Sequence, residues 1–557
     1  MRWVKRTLRY RAVEPDEILI DAQNLPHFDT ARLEGKIERP IESRVYRNLL
    51  LIIGALLVVT VSQLAKLQLV DHEALAARSE ANRLEESIIF AERGTIVDRN
   101  HESLALNTPG EDADFMTRTY PLQDAAAHVV GYVSYPKKDA SGFWYQTKTE
   151  GLFGIEALFD DRLVGSNGAE IQEVTASGDV VAEGMVRTAK HGEEVTLSLD
   201  AGVQAELYRA VKERSDQVGF VGGSGVIIDV ASGELIALVS YPSFNPEEFA
   251  SGDTKAVQRY TTDRRSPLLD RAVSGLYTPG SVVKPFVALA ALEEGIIAPE
   301  KQILSTGSIS IPNPYDPKRS TIFRDWKAHG WVDMRHALAH SSDVYFYAVG
   351  GGYQDQRGLG VATIERYMRL FGFGEATGVI LPGEAAGVIP TPRWKAETFG
   401  GEQWFLGNTY HTAIGQYGFQ VTVLQLVRAI AALANGGSLV APTIVRGDSP
   451  STVSTHVSKE HLEVVREGMR LAVTEGTAQA LAVPGVTVAG KTGTAEVGAK
   501  KEFINSLVVG FFPYEKPRYA FAVVMERAKA GTTAGAPLAV NQLLTWLVAN
   551  RPAMVAE

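Results

Sequence analysis

The stretch SGLYTPGSVVKPFVALAAL, residues 274–292, places a hydroxyl and an amine three residues apart at the head of an apolar run. Thr278, Pro279 and Gly280 read as a turn, and Val282 to Leu292 is apolar except for Lys284. Glu293, Glu294 and Gly295 close the run. Its length fits a buried helix, with Pro285 in the first turn, where a missing N–H costs little, and Gly295 as the C′ residue. On such a helix Lys284 shares a face with Ser281. A lysine facing a packed interior is costly unless it is paired or functional, and burial makes its neutral form available as a base. Ser-x-x-Lys alone is weak, since an N-cap serine beside a snorkelling lysine gives the same pattern.

Two further segments supply what such a pair lacks. HSSDVYFYAVG, 340–350, puts Ser341 and Asp343 at a break between helical stretches, where a hydroxyl can pass a proton toward a leaving amine. A cap by Ser342 or Asp343 on the following helix explains the same residues. AGKTGTAEV, 489–497, sets Lys491, Thr492, Gly493 and Thr494 in a strand-like context. An edge strand is a template for an extended peptide, and Lys491 with the threonine hydroxyls suits a terminal carboxylate. Gly490 and Gly493 would leave room for a ligand backbone. The order S-x-x-K, S-x-D, K-T-G, separated by 60 and 150 residues, supplies a nucleophile, a base and a carboxylate site. In its S-D-N form this set marks penicillin-binding proteins and class A β-lactamases.

The elements that hold these residues belong to a long chain. At 557 residues it exceeds one core, and 45% hydrophobic with 22% charged residues is ordinary globular composition. A net charge of -10 does not favour a nucleic-acid partner. The absence of cysteine removes disulfides, thiol nucleophiles and Cys-ligated zinc. Leu49 to Leu69 has only Lys66 as a charge, enough to cross a membrane once. Arg39, Arg44 and Arg47 precede it against Glu38 and Glu42, which places the N-terminus in the cytoplasm and the bulk outside. The expected divisions are a tail over 1–47, a transmembrane helix over 48–69, a non-catalytic region over 70–190 and a catalytic domain over 191–557. Residues 72–90 read as helical and amphipathic in their first part. Strands are expected over 193–200, within 224–244 around Ala231-Ser232-Gly233, and over 486–497, 505–512 and 518–526. Helices are expected over 201–215 and from about 537 to 548. Strands at both ends with helices between suggest one antiparallel sheet carrying a helical insertion.

With these motifs the chain resembles the class B, high-molecular-weight penicillin-binding proteins from about residue 44 to 545. RGTIVDRN (93–100), LALN (104–107), AAHVVGYV (126–133) and GLFGIEALFDDRLVG (151–165) resemble their pedestal domain. IIDVASGELIALVSYPSFNP (227–246), YTPGSVVKP (277–285), SSD (341–343) and KTGTAE (491–496) resemble their catalytic domain, and FRDWKAHG (323–330) points to the elongation members. The resemblance implies an anchored protein with an α+β, dimerisation-like pedestal and a serine β-lactamase-like transpeptidase domain whose antiparallel sheet is flanked by helices. It implies D,D-transpeptidation of stem peptides ending in D-Ala-D-Ala through a serine acyl-enzyme, trapped by β-lactams. Ser281 would be the nucleophile, Lys284 its base, Ser341 a proton shuttle and Asp343 an orienting group. Lys491, Thr492 and Thr494 would bind the carboxylate or shape the strand, with the N–H groups of Ser281 and Thr494 as oxyanion hole. A multi-spanning lipid II polymerase and other elongation proteins are the implied partners, and no cofactor is implied. Some relatives hold zinc through Asp, His and Cys; here Asp325 and His329 stand without a cysteine. Asp343 replaces the commoner Asn. A β-lactamase would not need the anchor and pedestal, and a β-lactam sensor usually carries several spans; a D,D-carboxypeptidase shares the acylation site. An inactive scaffold has no reason to bury Lys284.

Overall fold

A computed structural model describes residues 42–81, 84–110, 114–174, 180–313 and 316–556. Of the expected tail, residues 1–41 lie outside the described residues. The apolar run forms the helix Ser43–Ala65, continued by a π-helical segment, Lys66–Val70, with no buried side chain. Its 28 residues exceed the roughly 20 needed to cross a hydrocarbon core. It begins at Ser43 rather than at residue 48, because nothing in Arg44–Arg47 breaks a helix and arginines snorkel at a membrane boundary. The helix His72–Ala81 follows, but Leu84–Ile89 is a strand, so the helical reading of 72–90 holds only for its first part. Among the described residues, 42–85 with 173–182 form one compact unit, and the others form a second.

In the second unit a four-stranded sheet runs in the order Val195–Thr196, Ile96–Val97, Ser103–Pro109, Met116–Thr119. Val195–Thr196 pairs parallel with Ile96–Val97, so only two residues of the expected strand 193–200 pair as one. The charged residues of RGTIVDRN turn inward. Arg93 and Arg118 hold the buried Glu156 at 2.6 and 2.7 Å, and Asp98 accepts from the Ala201 N–H at 2.9 Å. A buried carboxylate is tolerable only when so paired. Asp200 caps the helix Ala201–Val218, which ends at Gly219 in the left-handed region.

The catalytic sheet is antiparallel throughout, in the order Leu235–Tyr241, Gly222–Asp229, Tyr519–Lys529, Phe503–Phe512, Ala489–Val497. Its strands are apolar on both faces because both are covered. Val226 and Ile228 belong to one core with the helices Lys284–Glu293 and Val423–Ala434. Ile227 and Val523 belong to the other, with Leu207 and with Leu543 of the C-terminal helix Ala536–Asn550. Two strand pairs in the insertion, Ile303–Ser305 with Gly330–Val332 and, nested between them in the chain, the hairpin Ser308–Asn313 with Asp316–Arg324, were not expected from sequence. Among the described residues Ala489–Val497 is an edge strand, paired only on its Phe503–Phe512 side.

Candidate active site

Ser281 lies in a 3-10 turn, Gly280–Val283, that runs into the helix Lys284–Glu293, with Pro285 in its first turn. Gly280 has φ +57, and a Cβ there would stand 3.0 Å from the Thr494 carbonyl. Gly280 N–H donates to Gly415 O at 2.9 Å, and a Cβ on Gly415 would come within 2.2 Å of the Gly280 carbonyl. Glycine at both positions seats the serine turn between the edge strand and the 411–416 segment. Ser281 stays partly exposed while Lys284 is wholly buried.

The lysine is aimed across the cleft. Lys284 Nζ donates to Ser341 O at 2.8 Å, Ser341 Oγ at 3.3 Å and Asp343 Oδ1 at 2.6 Å. Its partners sit on a tight turn between the helices Met334–Ala339 and Asp343–Gly351. Ser341 is buried with φ +57, a strained backbone for a residue with a Cβ. Ser342 caps the second helix, which leaves Asp343, in its first turn, free to reach Lys284. The capping explanation therefore applies to Ser342 and not to Asp343.

Lys491 is fully buried, and Nζ donates to Thr492 O at 2.9 Å. Burial, and then the charge of Lys284, hold its pKa well below the ordinary lysine range, with Asp343 opposing. Thr494 is exposed on the edge strand, whereas Thr492 Oγ1 donates to Thr477 Oγ1 at 2.8 Å. The glycines do something other than expected. A Cβ on Gly493 would meet Pro279 O at 2.8 Å and Val282 Cγ1 at 2.9 Å, and one on Gly490 would meet Leu481 at 2.5 Å. Both face packed protein, and Gly493 lets the serine turn seat on the strand. Lys284, Ser341 and Asp343 are thus in direct contact, Lys491 is electrostatically coupled to them, and Gly493 packs under Ser281.

Three participants escaped the sequence reading. Thr477 ties the edge strand to the Ser341 turn, because its N–H also donates to Ala339 O at 3.0 Å. His411 lies close enough to Asp343 and Lys501 to feel both, and burial lowers its pKa. Asp325, noticed only as a possible zinc ligand, is buried against the turn and accepts from Ser342 Oγ at 2.9 Å and the Val344 N–H at 3.0 Å. Among the described residues no three His, Asp or Glu side chains gather to hold a metal ion. Asp325 accepts from protein donors with both oxygens, the buried His329 Nε2 3.4 Å from Oδ1 has no hydrogen-bond partner among the described residues, and the sequence offers no cysteine to complete the donor set of zinc-binding relatives.

A serine turn, a buried lysine pair and an open strand edge define a serine acyl-transfer enzyme. The comparisons agree. Residues 223–544 match the penicillin binding protein transpeptidase domain and 113–197 the penicillin-binding protein dimerisation domain. The peptidoglycan D,D-transpeptidase MrdA of Acinetobacter baumannii is 35% identical over 468 residues, 78% of this chain and 67% of that protein. The penicillin-binding protein 2 of Helicobacter pylori in complex with MreC superposes with a TM-score of 0.68 at 26% identity, over 84% of this chain and 99% of that one. A structure on the coordination of polymerization and crosslinking by a peptidoglycan synthase complex gives 0.69 at 26% identity, over 90% and 98%. The chain belongs to the penicillin-binding transpeptidases. Within them it is a class B enzyme of the penicillin-binding protein 2, or MrdA, group, a peptidoglycan D,D-transpeptidase of cell elongation.

Proposed function

We propose that Ser281 is the nucleophile of this transpeptidase and Lys284, in its neutral form, the base. Ser281 Oγ gives its proton to Lys284 and bonds to the carbonyl carbon of the penultimate D-alanine. Negative charge moves to the carbonyl oxygen, between the N–H groups of Ser281 and Thr494. The C–N bond then breaks, and the terminal D-alanine leaves with a proton relayed through Ser341. The amine of a neighbouring stem peptide attacks the ester and loses a proton to Lys284, which passes it to Ser281 Oγ as the ester C–O bond breaks. Water in place of that amine gives carboxypeptidase activity. Thr494, with Thr492 shaping the strand, holds the substrate carboxylate, and Asp343 orients Lys284. The observation that carries this reading is the bridge from Lys284 Nζ to both Ser341 and Asp343, at the base of the Ser281 turn. Intact-mass analysis with a penicillin tests it. Wild type should gain one adduct on the Ser281 peptide and Ser281→Ala none; a labelled, folded S281A protein overturns the assignment.

The boundaries 1–47, 48–69, 70–190 and 191–557 are part of this reading, supported by the matches over 113–197 and 223–544. So is an N-terminus in the cytoplasm with the catalytic domain outside, supported by Arg44 and Arg47 at the start of the anchor helix. Protease added to intact spheroplasts should remove the catalytic domain and spare an N-terminal tag. The partners are the stem peptides, a multi-spanning lipid II polymerase and elongation scaffold proteins, supported by relatives solved with MreC and in a synthase complex.

A further inference from the structure

The Ser341 turn carries an energetic burden that its own residues do not relieve. Ser341 holds φ +57, and the lysine bonded to it is fully buried. A strained backbone persists only when its surroundings over-determine it. Lys284 grips the turn through Ser341 O and Oγ, and Thr477 through Ala339 O. The third grip is Asp325, on the loop before Gly330–Val332. Its side chain is wholly buried. Oδ2 accepts from Ser342 Oγ at 2.9 Å, the Val344 N–H at 3.0 Å and Ser305 Oγ at 3.2 Å. Oδ1 accepts from the Trp326 N–H at 2.8 Å, and His329 Nε2 stands 3.4 Å away. One carboxylate therefore ties the strand Ile303–Ser305 to the first turn of the helix that presents Asp343. Negative charge at that N-terminus is also favoured by the helix dipole.

We propose that Asp325 is a positioning residue of the acylation machinery, and that its carboxylate, without a metal ion, fixes the Ser341–Asp343 turn against Lys284. Removing the charge leaves the Val344 N–H and the Ser342 hydroxyl without a charged acceptor, so the turn loses its restraint on the side remote from Lys284. Asp343 and Ser341 then shift relative to Lys284. Chemistry suffers before binding does, because Asp325 lies behind the turn and offers nothing to ligand.

Full-length protein in detergent, as wild type, Asp325→Asn and Ser342→Ala, is mixed with a fluorescent penicillin. Acylation is resolved into a noncovalent binding constant and a first-order rate constant, with and without EDTA, and zinc is measured by mass spectrometry. D325N should lower the rate constant roughly 10–100-fold, as charge-assisted hydrogen bonds go, and change binding less than about 3-fold. S342A, which removes one of several donors, should show a smaller loss of the same kind. Wild type should contain no stoichiometric zinc and acylate equally in EDTA. A folded D325N protein with the wild-type rate constant overturns the proposal, as does a loss shared equally by binding and rate. Stoichiometric zinc with EDTA-sensitive acylation overturns it too. If D325N does not accumulate, Ser305→Ala, which removes a donor to Asp325 without touching a helix cap, decides: a wild-type rate constant refutes, and a lowered one with unchanged binding supports. Failure of Ser281 labelling altogether would instead refute the nucleophile assignment.

Discussion

Lys284 and Lys491 are two buried amines that share one anion, Asp343, and they should fail differently. Lys284→Ala removes the base, so acylation should fall by about 10²–10⁴-fold for every β-lactam. From sequence alone Lys491 offered positive charge to a carboxylate. In the fold it is wholly buried, with its pKa held well below that of an ordinary lysine by burial and by Lys284. A wholly buried amine with a lowered pKa offers a ligand carboxylate less charge than an exposed lysine does. Lys491→Ala should therefore slow acylation by a penicillin and by its methyl ester in similar proportion. Second-order rate constants for the two ligands check this; a loss confined to the acid returns Lys491 to carboxylate binding.

At the scale of elements, catalysis rests on how closely the serine turn sits on the edge strand. A Cβ at position 493 would press on Pro279 O at 2.8 Å and Val282 Cγ1 at 2.9 Å. The first contact is backbone, so relief requires the turn itself to move. Gly493→Ala should cost about 1–3 kcal/mol in stability, as overpacking does, and at least 10-fold in acylation. Thermal melts and penicillin labelling measure the two separately. Unchanged labelling would mean that the strand yields and the turn does not. The wholly buried helix Val423–Ala434 packs on the neighbouring strands Gly222–Asp229, Tyr519–Lys529 and Phe503–Phe512, so such strain has little room to dissipate through the sheet.

At the scale of the whole molecule, the C-terminus is tied back to the helix after the pedestal. Arg551 pairs with Asp200, Nε to Oδ2 at 3.1 Å and Nη2 to Oδ1 at 3.2 Å. Burial works against the Asp200 charge, but the hydrogen bonds from Arg551 and the Val203 N–H outweigh it and keep its pKa below the usual carboxylate value. A depressed carboxylate contributes stability above its unfolded pKa of about 3.9, and loses it as pH falls through the folded value. Arg551→Ala should therefore be less stable than wild type at pH 7, by about 1–3 kcal/mol, because it leaves the buried Asp200 carboxylate with fewer donors. The difference should close below about pH 4. A gap that persists in acid would assign the loss to packing against Trp546, over which Arg551 also lies.

By itself the sequence determined the anchor, the strands that build the sheet and the three motifs in their order. Each is written in a local period or in residues adjacent along the chain. It did not determine which group the buried lysine serves. Ser281 is three residues from Lys284, yet Lys284 Nζ bonds Ser341 and Asp343, 57 and 59 residues away. Nor did it show that Gly493 faces the serine turn instead of a ligand, that Asp325 braces the second motif, or that two strand pairs interrupt the helical insertion. Periodicity states which face of an element is apolar, but the direction of a side chain across a cleft depends on how several elements pack. Those contacts join residues with no local pattern in common, so only the tertiary structure decided them.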